Sequence, residues 1–122
     1  MVMRYILHII SGDDWAKVSH WYRPESLKTE NFIHCSTVDQ VLLPANEFFK
    51  GTTGLVLLVI DTTLVDAPIK FEDCYETGTL FPHIYGPLAK TAVCETILFP
   101  TNKDGRFSRP AELERYVTFK KL

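Results

Sequence analysis

The chain has 122 residues, of which 46% are hydrophobic and 23% are charged, and its formal net charge is −2. This length and composition are typical of one globular domain that buries an ordinary core without metal or disulfide support. The small negative charge gives no reason to expect nucleic-acid binding, and no apolar run approaches the roughly 20 residues that span a bilayer. The three cysteines form no Cys-x-x-Cys pair, which favours reduced thiols and a cytoplasmic location.

The first half of the chain predicts two strands and two helices. Residues 2–10 are rich in β-branched and aromatic side chains, which indicates a core strand rather than a signal peptide. Ser11 is a candidate N-cap for a short helix that ends near His20. A strand over 32–36 then leads to Thr37, whose spacing from Gln40 fits a capping box and predicts that the next helix begins there, although Pro44 lies within it.

The second half predicts a central strand and a polar tail. Residues 55–60 are apolar on both faces, as in a strand that is covered on both sides. A connection with a helical turn over 61–66, an exposed strand over 69–72, a loop over 72–79 and a last strand over 93–99 follow. We predict one domain over 1–100 with an extension over 101–122 that packs on it, in an α+β architecture with a largely antiparallel sheet.

Two segments place chemically active side chains among apolar ones, namely Asn31–Thr37 and Phe81–Pro87. His34 lies in the first and His83 in the second, and His8 lies at the end of the first strand. A buried imidazole must be hydrogen-bonded, and any one of these histidines alone is more often structural. Three together favour a shared pocket, so we predict that the two segments meet.

Other chemistries were weighed against this pocket. Zinc is one rival, since it could be bound by His8, His34, Cys35 and His83. His34 and Cys35 are adjacent in a strand and point to opposite faces, so only one of them can bind the same ion, and no metal is predicted. Cys35 as a nucleophile is disfavoured because a strand cysteine is usually a buried apolar group. Ser36 and Thr37, at the predicted helix N-terminus, are the best place for a phosphate.

The same segments resemble the domain-of-unknown-function family 952. The resemblance rests on the residues Phe32-Ile33-His34-Cys35-Ser36, Gln40-Val41, Phe48-Phe49 and Phe81-Pro82-His83-Ile84-Tyr85-Gly86-Pro87. It runs from about Tyr5 to Phe99. That family is similar in fold to ADP-ribosyltransferases, which implies two curved, largely antiparallel sheets around an NAD-binding cleft, with two or three short helices.

The resemblance also implies roles for individual residues. Asn31 replaces a glycine common in the family, and asparagine tolerates the same left-handed backbone. The glutamate that stabilises the ribose cation in known transferases has no counterpart in the second segment, so Glu72 or Glu76 is predicted instead. The remaining roles are proton transfer by His34 and His83, and ligand binding by His8, Arg23, Ser36, Thr37 and Tyr85.

Three hypotheses remain at this point. The first is an enzyme that uses NAD or an ADP-ribosylated substrate. The second is a non-catalytic module that binds a nucleotide or small metabolite in the same cleft. The third makes the histidines structural and the chain an interaction domain. The first two imply a small nucleotide-like ligand, without nucleic acid, membrane or metal.

Overall fold

A computed structural model describes residues 3–74 and 76–117 of the chain. The protein is α+β, with antiparallel strand pairing and a few short helices. The predicted fold class is confirmed at this level. Within the described residues no helix has both the length and the apolar character needed to cross a membrane.

Eight strands and three α-helices form the described fold. The strands are β1 (Tyr5–Ser11), β2 (Trp21–Tyr22), β3 (Ile33–His34), β4 (Leu55–Asp61), β5 (Ile69–Glu72), β6 (Phe81–Ile84), β7 (Leu88–Ala89) and β8 (Val93–Leu98). The helices are α1 (Gly12–Ala16), α2 (Ser26–Thr29) and α3 (Leu42–Phe48), and 3₁₀ turns cover Thr62–Leu64, Lys90–Ala92 and Ala111–Tyr116.

The central sheet has the order β1-β4-β8. Every residue of β4 is buried, as predicted from its apolar run. One face of this sheet carries Leu7, Leu57 and Ile97 against Val41 and Ala45 of the α3 region. The opposite face packs on the second sheet, so β4 is the central strand of a core with two sides.

The second sheet has the order β3-β6-β5 and covers that opposite face. Ile33 and Ile84, which are paired across β3 and β6, are fully buried against Ile6, Leu58 and Ile60 of the first sheet. The two sheets are also joined through the backbone, because the amides and carbonyls of Leu7 and Ser36 exchange hydrogen bonds of 2.7 and 2.8 Å. The end of β3 is thereby fixed beside β1.

The two predicted helix starts have different outcomes. Ser11 caps α1, since its hydroxyl accepts a hydrogen bond from the amide of Asp14, although the helix ends at Ala16 rather than near His20. The predicted start of α3 at Thr37 is wrong, because the helix begins at Leu42. Gln40 accepts from the Thr37 amide as a capping box requires, but Pro44 cannot donate to the carbonyl four residues earlier. Regular helix therefore begins at Leu42, two residues before the proline.

The segment after Pro100 packs against the central sheet. Phe107 is 4% exposed and Leu113 is fully buried in the same core as Leu57. Tyr116 donates its hydroxyl to Glu95 of β8, and its ring packs edge-on against Tyr5 at 4.9 Å. Residues 118–122 of the predicted extension, like residue 2 of the first predicted strand, lie outside the described residues.

Candidate functional site

The two histidine segments meet through strand pairing, as predicted. His34 of β3 stands directly opposite His83 of β6, and their ring centroids are 5.5 Å apart. Phe32 stacks on the His83 ring at 4.0 Å with an interplanar angle of 12°. Asn31, just before this strand, has a φ of 73°, the left-handed conformation expected there. The turn at Asn31 thus leads directly into the histidine pair.

His83 is held by a carboxylate behind it. Its side chain is 1% exposed, and its Nδ1 donates to Oε1 of Glu72 at 2.8 Å. The Tyr85 hydroxyl donates to the same oxygen at 2.6 Å. The hydrogen bond from Tyr85, followed by that from His83, lowers the pKa of Glu72, while the contact with Glu72 raises the pKa of Tyr85. Glu72 is therefore ionised and orients both rings.

His34 has its own acidic partner. Its Nε2 lies 2.9 Å from Oε1 of Glu30, which is four residues earlier in the chain. The two side chains are 34% and 48% exposed. His34 is therefore the more accessible imidazole of the opposed pair, and the nearest carboxylate belongs to Glu30.

Both ring nitrogens of His8 have protein partners. Nδ1 lies 2.6 Å from the His34 carbonyl oxygen, which only accepts, so Nδ1 carries the proton and donates. Nε2 therefore accepts the hydrogen bond from the Tyr22 hydroxyl at 2.7 Å. Burial lowers the pKa of His8 to about 4, which keeps the ring neutral near pH 7. This histidine fixes β1 to β3 and to Tyr22.

A cavity of about 400 Å³ lies where β1, the end of β3, α3 and β6 meet. Its walls combine the three histidines with one carboxylate and several apolar groups, namely Leu7, His8, Ile9, Glu30, His34, Cys35, Ser36, Pro44, Phe48, Phe49, Phe81 and His83. A second depression of about 580 Å³ shares Pro44, Phe48 and Phe81 with it. The two form one extended concave surface.

Around the end of β3, Cys35 is buried as predicted, whereas Ser36 and Thr37 are not in the environment that was expected. Cys35 is 4% exposed in the core between the sheets, and burial raises the pKa of its thiol, as a structural cysteine requires. Ser36 lines the cavity but is 5% exposed, and Thr37 is 8% exposed. Since α3 begins at Leu42, the helix N-terminus that was predicted to favour a phosphate is not at these two residues.

The other predicted ligand-binding residues lie apart from the cavity. Arg23 is exposed, with its guanidinium 6.0 Å from the Trp21 ring, and it lines a shallow groove of about 360 Å³ together with Tyr85. Glu76 is exposed in the loop before β6, at a φ of 57°. The structure therefore brings His8, His34, Ser36 and His83 together, and it connects Tyr85 to His83 through Glu72 and through the ring of Phe32.

Two residues of the site were missed by sequence reasoning, Glu30 and Cys74. Glu30 follows α2 and reaches His34, and the Glu-x-x-x-His spacing was the available signal. Cys74 follows β5, with its sulfur 3.7 Å from His83 Nε2. Nothing local in the sequence places that loop cysteine beside a β6 histidine.

The sequence of this chain matches a known protein family. The model of the family described as "Protein of unknown function (DUF952)" matches residues 9–96, a range that contains His34, His83 and both acidic partners. The chain belongs to the DUF952 family. No curated protein sequence matches the chain at a significant level.

Solved structures of a protein from Caulobacter crescentus share the fold. The crystal structure of CC0527 from Caulobacter crescentus superposes with a TM-score of 0.76 at 24% sequence identity, covering 94% of this chain and 99% of that one. The solution NMR structure of CC0527 gives a TM-score of 0.73 at 25% identity, with coverages of 97% and 100%. These relatives are not named as ADP-ribosyltransferases, so the wider superfamily relationship stays a prediction.

Proposed function

We propose that this DUF952 protein binds the nicotinamide-ribose end of NAD, or a related ADP-ribose derivative, in the cavity beside His34 and cleaves its glycosidic bond. The observation that carries the proposal is the Glu30 carboxylate 2.9 Å from His34 in the cavity wall. A carboxylate in that position stabilises the positive charge that develops on a ribose as its leaving group departs.

The size and charge of the cavity support this orientation of the ligand. A volume of about 400 Å³ falls within the range of small-molecule pockets, and the adjoining depression extends it. The described residues that line the two include Glu30 and Glu47 but neither lysine nor arginine. The cationic nicotinamide-ribose end therefore suits this surface, and the pyrophosphate is expected to extend toward solvent.

In the proposed reaction the bond between ribose C1′ and the nicotinamide nitrogen breaks, and nicotinamide leaves with the bonding electron pair. Glu30 stabilises the resulting oxocarbenium-like cation. Water, or an acceptor hydroxyl, then forms a bond to C1′ and transfers its proton to His34, because an accessible imidazole can act as a general base. With water the products are ADP-ribose, nicotinamide and one proton.

The roles of His8 and His83 follow from their contacts. Both ring nitrogens of His8 are hydrogen-bonded, Nδ1 to the His34 carbonyl and Nε2 to the Tyr22 hydroxyl. His83 is 1% exposed, and its Nδ1 is hydrogen-bonded to Glu72. In this proposal they position the strand that carries His34 and the wall behind the ligand. Glu30 takes the place of the acidic stabiliser that was predicted at Glu72 or Glu76.

The test measures nicotinamide release from NAD by the wild-type chain and by Glu30→Gln, with Glu112→Gln as the control. Glu112 is an exposed acid of the 3₁₀ turn Ala111–Tyr116 and lines neither the cavity nor the adjoining depression. We expect Glu30→Gln to slow release by about 10²-fold or more, as when an electrostatic stabiliser is removed, and Glu112→Gln to have little effect. Thermal unfolding with NAD, ADP-ribose and nicotinamide measures binding separately.

Non-catalytic binding is the second candidate function. It is favoured by the internal hydrogen bonds of His8 and His83, which leave His34 as the one accessible imidazole of the three. A ligand-dependent rise in the unfolding temperature without nicotinamide release would support this candidate. If millimolar ligand causes no shift in the unfolding temperature and no nicotinamide is released, both candidate functions are overturned.

A further inference from the structure

Three side chains beside the cavity bring metal-binding atoms together. A ring nitrogen of His34, a ring nitrogen of His83 and the sulfur of Cys74 all lie within 4.8 Å of one another. We propose that these three residues form a binding site for Zn²⁺ or another transition-metal ion that prefers nitrogen and sulfur ligands. The proposal does not depend on the ribosyl chemistry argued above.

The donor set and its spacing fit tetrahedral zinc. Imidazole and thiolate are the usual zinc ligands, with bonds of about 2.0–2.1 Å and 2.3 Å, so a tetrahedral angle puts nitrogen and sulfur about 3.6 Å apart. The distance from His83 Nε2 to Cys74 Sγ is 3.7 Å. These two atoms therefore need almost no movement to share an ion.

The surroundings of His83 are those of a positioned metal ligand. Its Nδ1 donates to Glu72 at 2.8 Å, which leaves Nε2 as the nitrogen that faces Cys74. A carboxylate behind a ligating histidine fixes the tautomer and makes the ring more basic. Stacking on Phe32 at 4.0 Å and the second hydrogen bond to Glu72 from Tyr85 hold the ring and the carboxylate in place.

Cys74 follows β5 and lies next to the site. The Asp73 carboxylate accepts hydrogen bonds from the amides of Thr77 and Gly78, at 3.0 and 2.7 Å, which closes the loop after β5. Cys74 itself is exposed, so an ion has a path to it. The site thus combines two histidines on paired strands with a cysteine from a braced loop.

Three protein ligands leave one tetrahedral position for water or another ligand, as in catalytic zinc sites. The strand argument that excluded a metal used Cys35, which does lie in the core away from this cluster. Cys74 removes that objection because it reaches the histidines from a different segment. His34 belongs to both proposals, and an ion bound to it occupies the nitrogen lone pair that a general base needs, so zinc is expected to inhibit the proposed cleavage.

Cobalt binding to the full, metal-stripped chain tests the site without any nucleotide. Tetrahedral Co²⁺ with a thiolate ligand gives intense visible bands and a sulfur-to-cobalt charge-transfer band. We expect both with one ion per chain, and their disappearance when one equivalent of Zn²⁺ is added. Cys74→Ser should abolish the charge-transfer band, whereas Cys94→Ser, a change at an exposed thiol on β8, should retain it.

Two further variants separate ligation from folding. His34→Gln changes a half-exposed ligand and should weaken zinc binding, measured by competition with a chromophoric chelator, whereas His20→Gln at an exposed position should not. Glu72→Gln should weaken it by about 10- to 100-fold, the usual effect of losing a partner behind a ligating histidine. A sulfur-to-cobalt charge-transfer band that persists in Cys74→Ser, or the absence of tetrahedral bands in the wild-type chain, would overturn the proposal.

Discussion

His34 and His83 face each other across the β3–β6 pairing, with ring centroids 5.5 Å apart. One ring nitrogen of each is within hydrogen-bond distance of a carboxylate. The two carboxylates come from different parts of the fold. Glu30 follows α2, while Glu72 ends β5. Each imidazole is therefore oriented independently, which suits different roles for the accessible His34 and the buried His83.

Phe32 is expected to contribute strongly to stability because its ring fills the space against His83. The side chain is 8% exposed and stacks at 4.0 Å. Replacing it by alanine removes the buried ring and leaves a cavity, so we expect Phe32→Ala to lower the free energy of unfolding by about 3 kcal/mol. Chemical denaturation measures this difference.

The control for that measurement is Phe71→Ala on β5, where the ring is 39% exposed. Because this ring is partly exposed, the substitution removes less buried apolar surface, and we expect the free energy of unfolding to fall by less than about 1 kcal/mol. Equal losses for the two variants would show that the stack on His83 has no special part in the fold.

Leu113 tests how far the segment after Pro100 contributes to the fold. It is fully buried in the core that includes Leu57. We expect Leu113→Ala to cost about 2–4 kcal/mol, whereas Leu98→Ala, at a position that is 75% exposed, should change stability by less than about 0.5 kcal/mol. If Leu113→Ala unfolds at the same temperature as the wild-type chain, the segment does not belong to the folding unit.

The elements that could be predicted from the sequence are those that depend on neighbouring residues in the chain. The continuous apolar run of β4 and the Ser11 cap depend on residues within one segment, so pattern and capping rules identified them. The start of α3 was missed because two local signals conflict there. The capping contact between Thr37 and Gln40 forms, but Pro44 delays the helix to Leu42.

The site was predictable only in part, for a related reason. The meeting of His34 and His83 followed from two similar apolar segments, each interrupted by a histidine. The positions of Glu72 and Cys74 depend on the pairing of β5 with β6, in which Lys70 stands opposite His83. Such a register is a tertiary property, and a single sequence carries little information about it.

Asp61 is predicted to stabilise the turn after β4. Its carboxylate accepts hydrogen bonds from the amide and hydroxyl of Thr63, at 3.0 and 2.6 Å, and it pairs with Arg4. We expect Asp61→Ala to lower the free energy of unfolding by about 1 kcal/mol, as for other caps, and Asp66→Ala at an exposed position to have little effect.

The contacts of Asp61 also predict that the free energy of unfolding depends on pH in the acidic range. The hydrogen bond from the Thr63 hydroxyl, with further contributions from the Thr63 amide and Arg4, lowers the pKa of Asp61 in the folded state. Its stabilising effect is therefore complete above the ordinary carboxyl pKa of about 4 and is lost as the pH falls through the lower, folded-state value. Urea denaturation of wild-type and Asp61→Ala chains should converge at low pH, and a constant difference would contradict this account.

The burial of His8 predicts a second pH dependence of stability, at higher pH than that of Asp61. Burial lowers its pKa from the usual 6.5 to about 4 in the folded state, so between these values the unfolded chain binds more protons. Stability should be complete above about pH 6.5 and fall toward pH 4, by on the order of 3 kcal/mol in total. The loss reflects protonation of this imidazole in the unfolded chain, whereas in the folded state Nε2 stays unprotonated and accepts the hydrogen bond from Tyr22.

The comparison of wild-type with His8→Gln isolates that contribution from the carboxylates that titrate nearby. His8→Gln cannot take up the proton, so its stability should vary less between pH 6.5 and 4 than that of the wild-type chain, even if it is lower at pH 7. His20→Gln, at an exposed histidine, should keep the wild-type slope. Identical slopes for His8→Gln and the wild-type chain would mean that burial does not hold His8 neutral in the folded state.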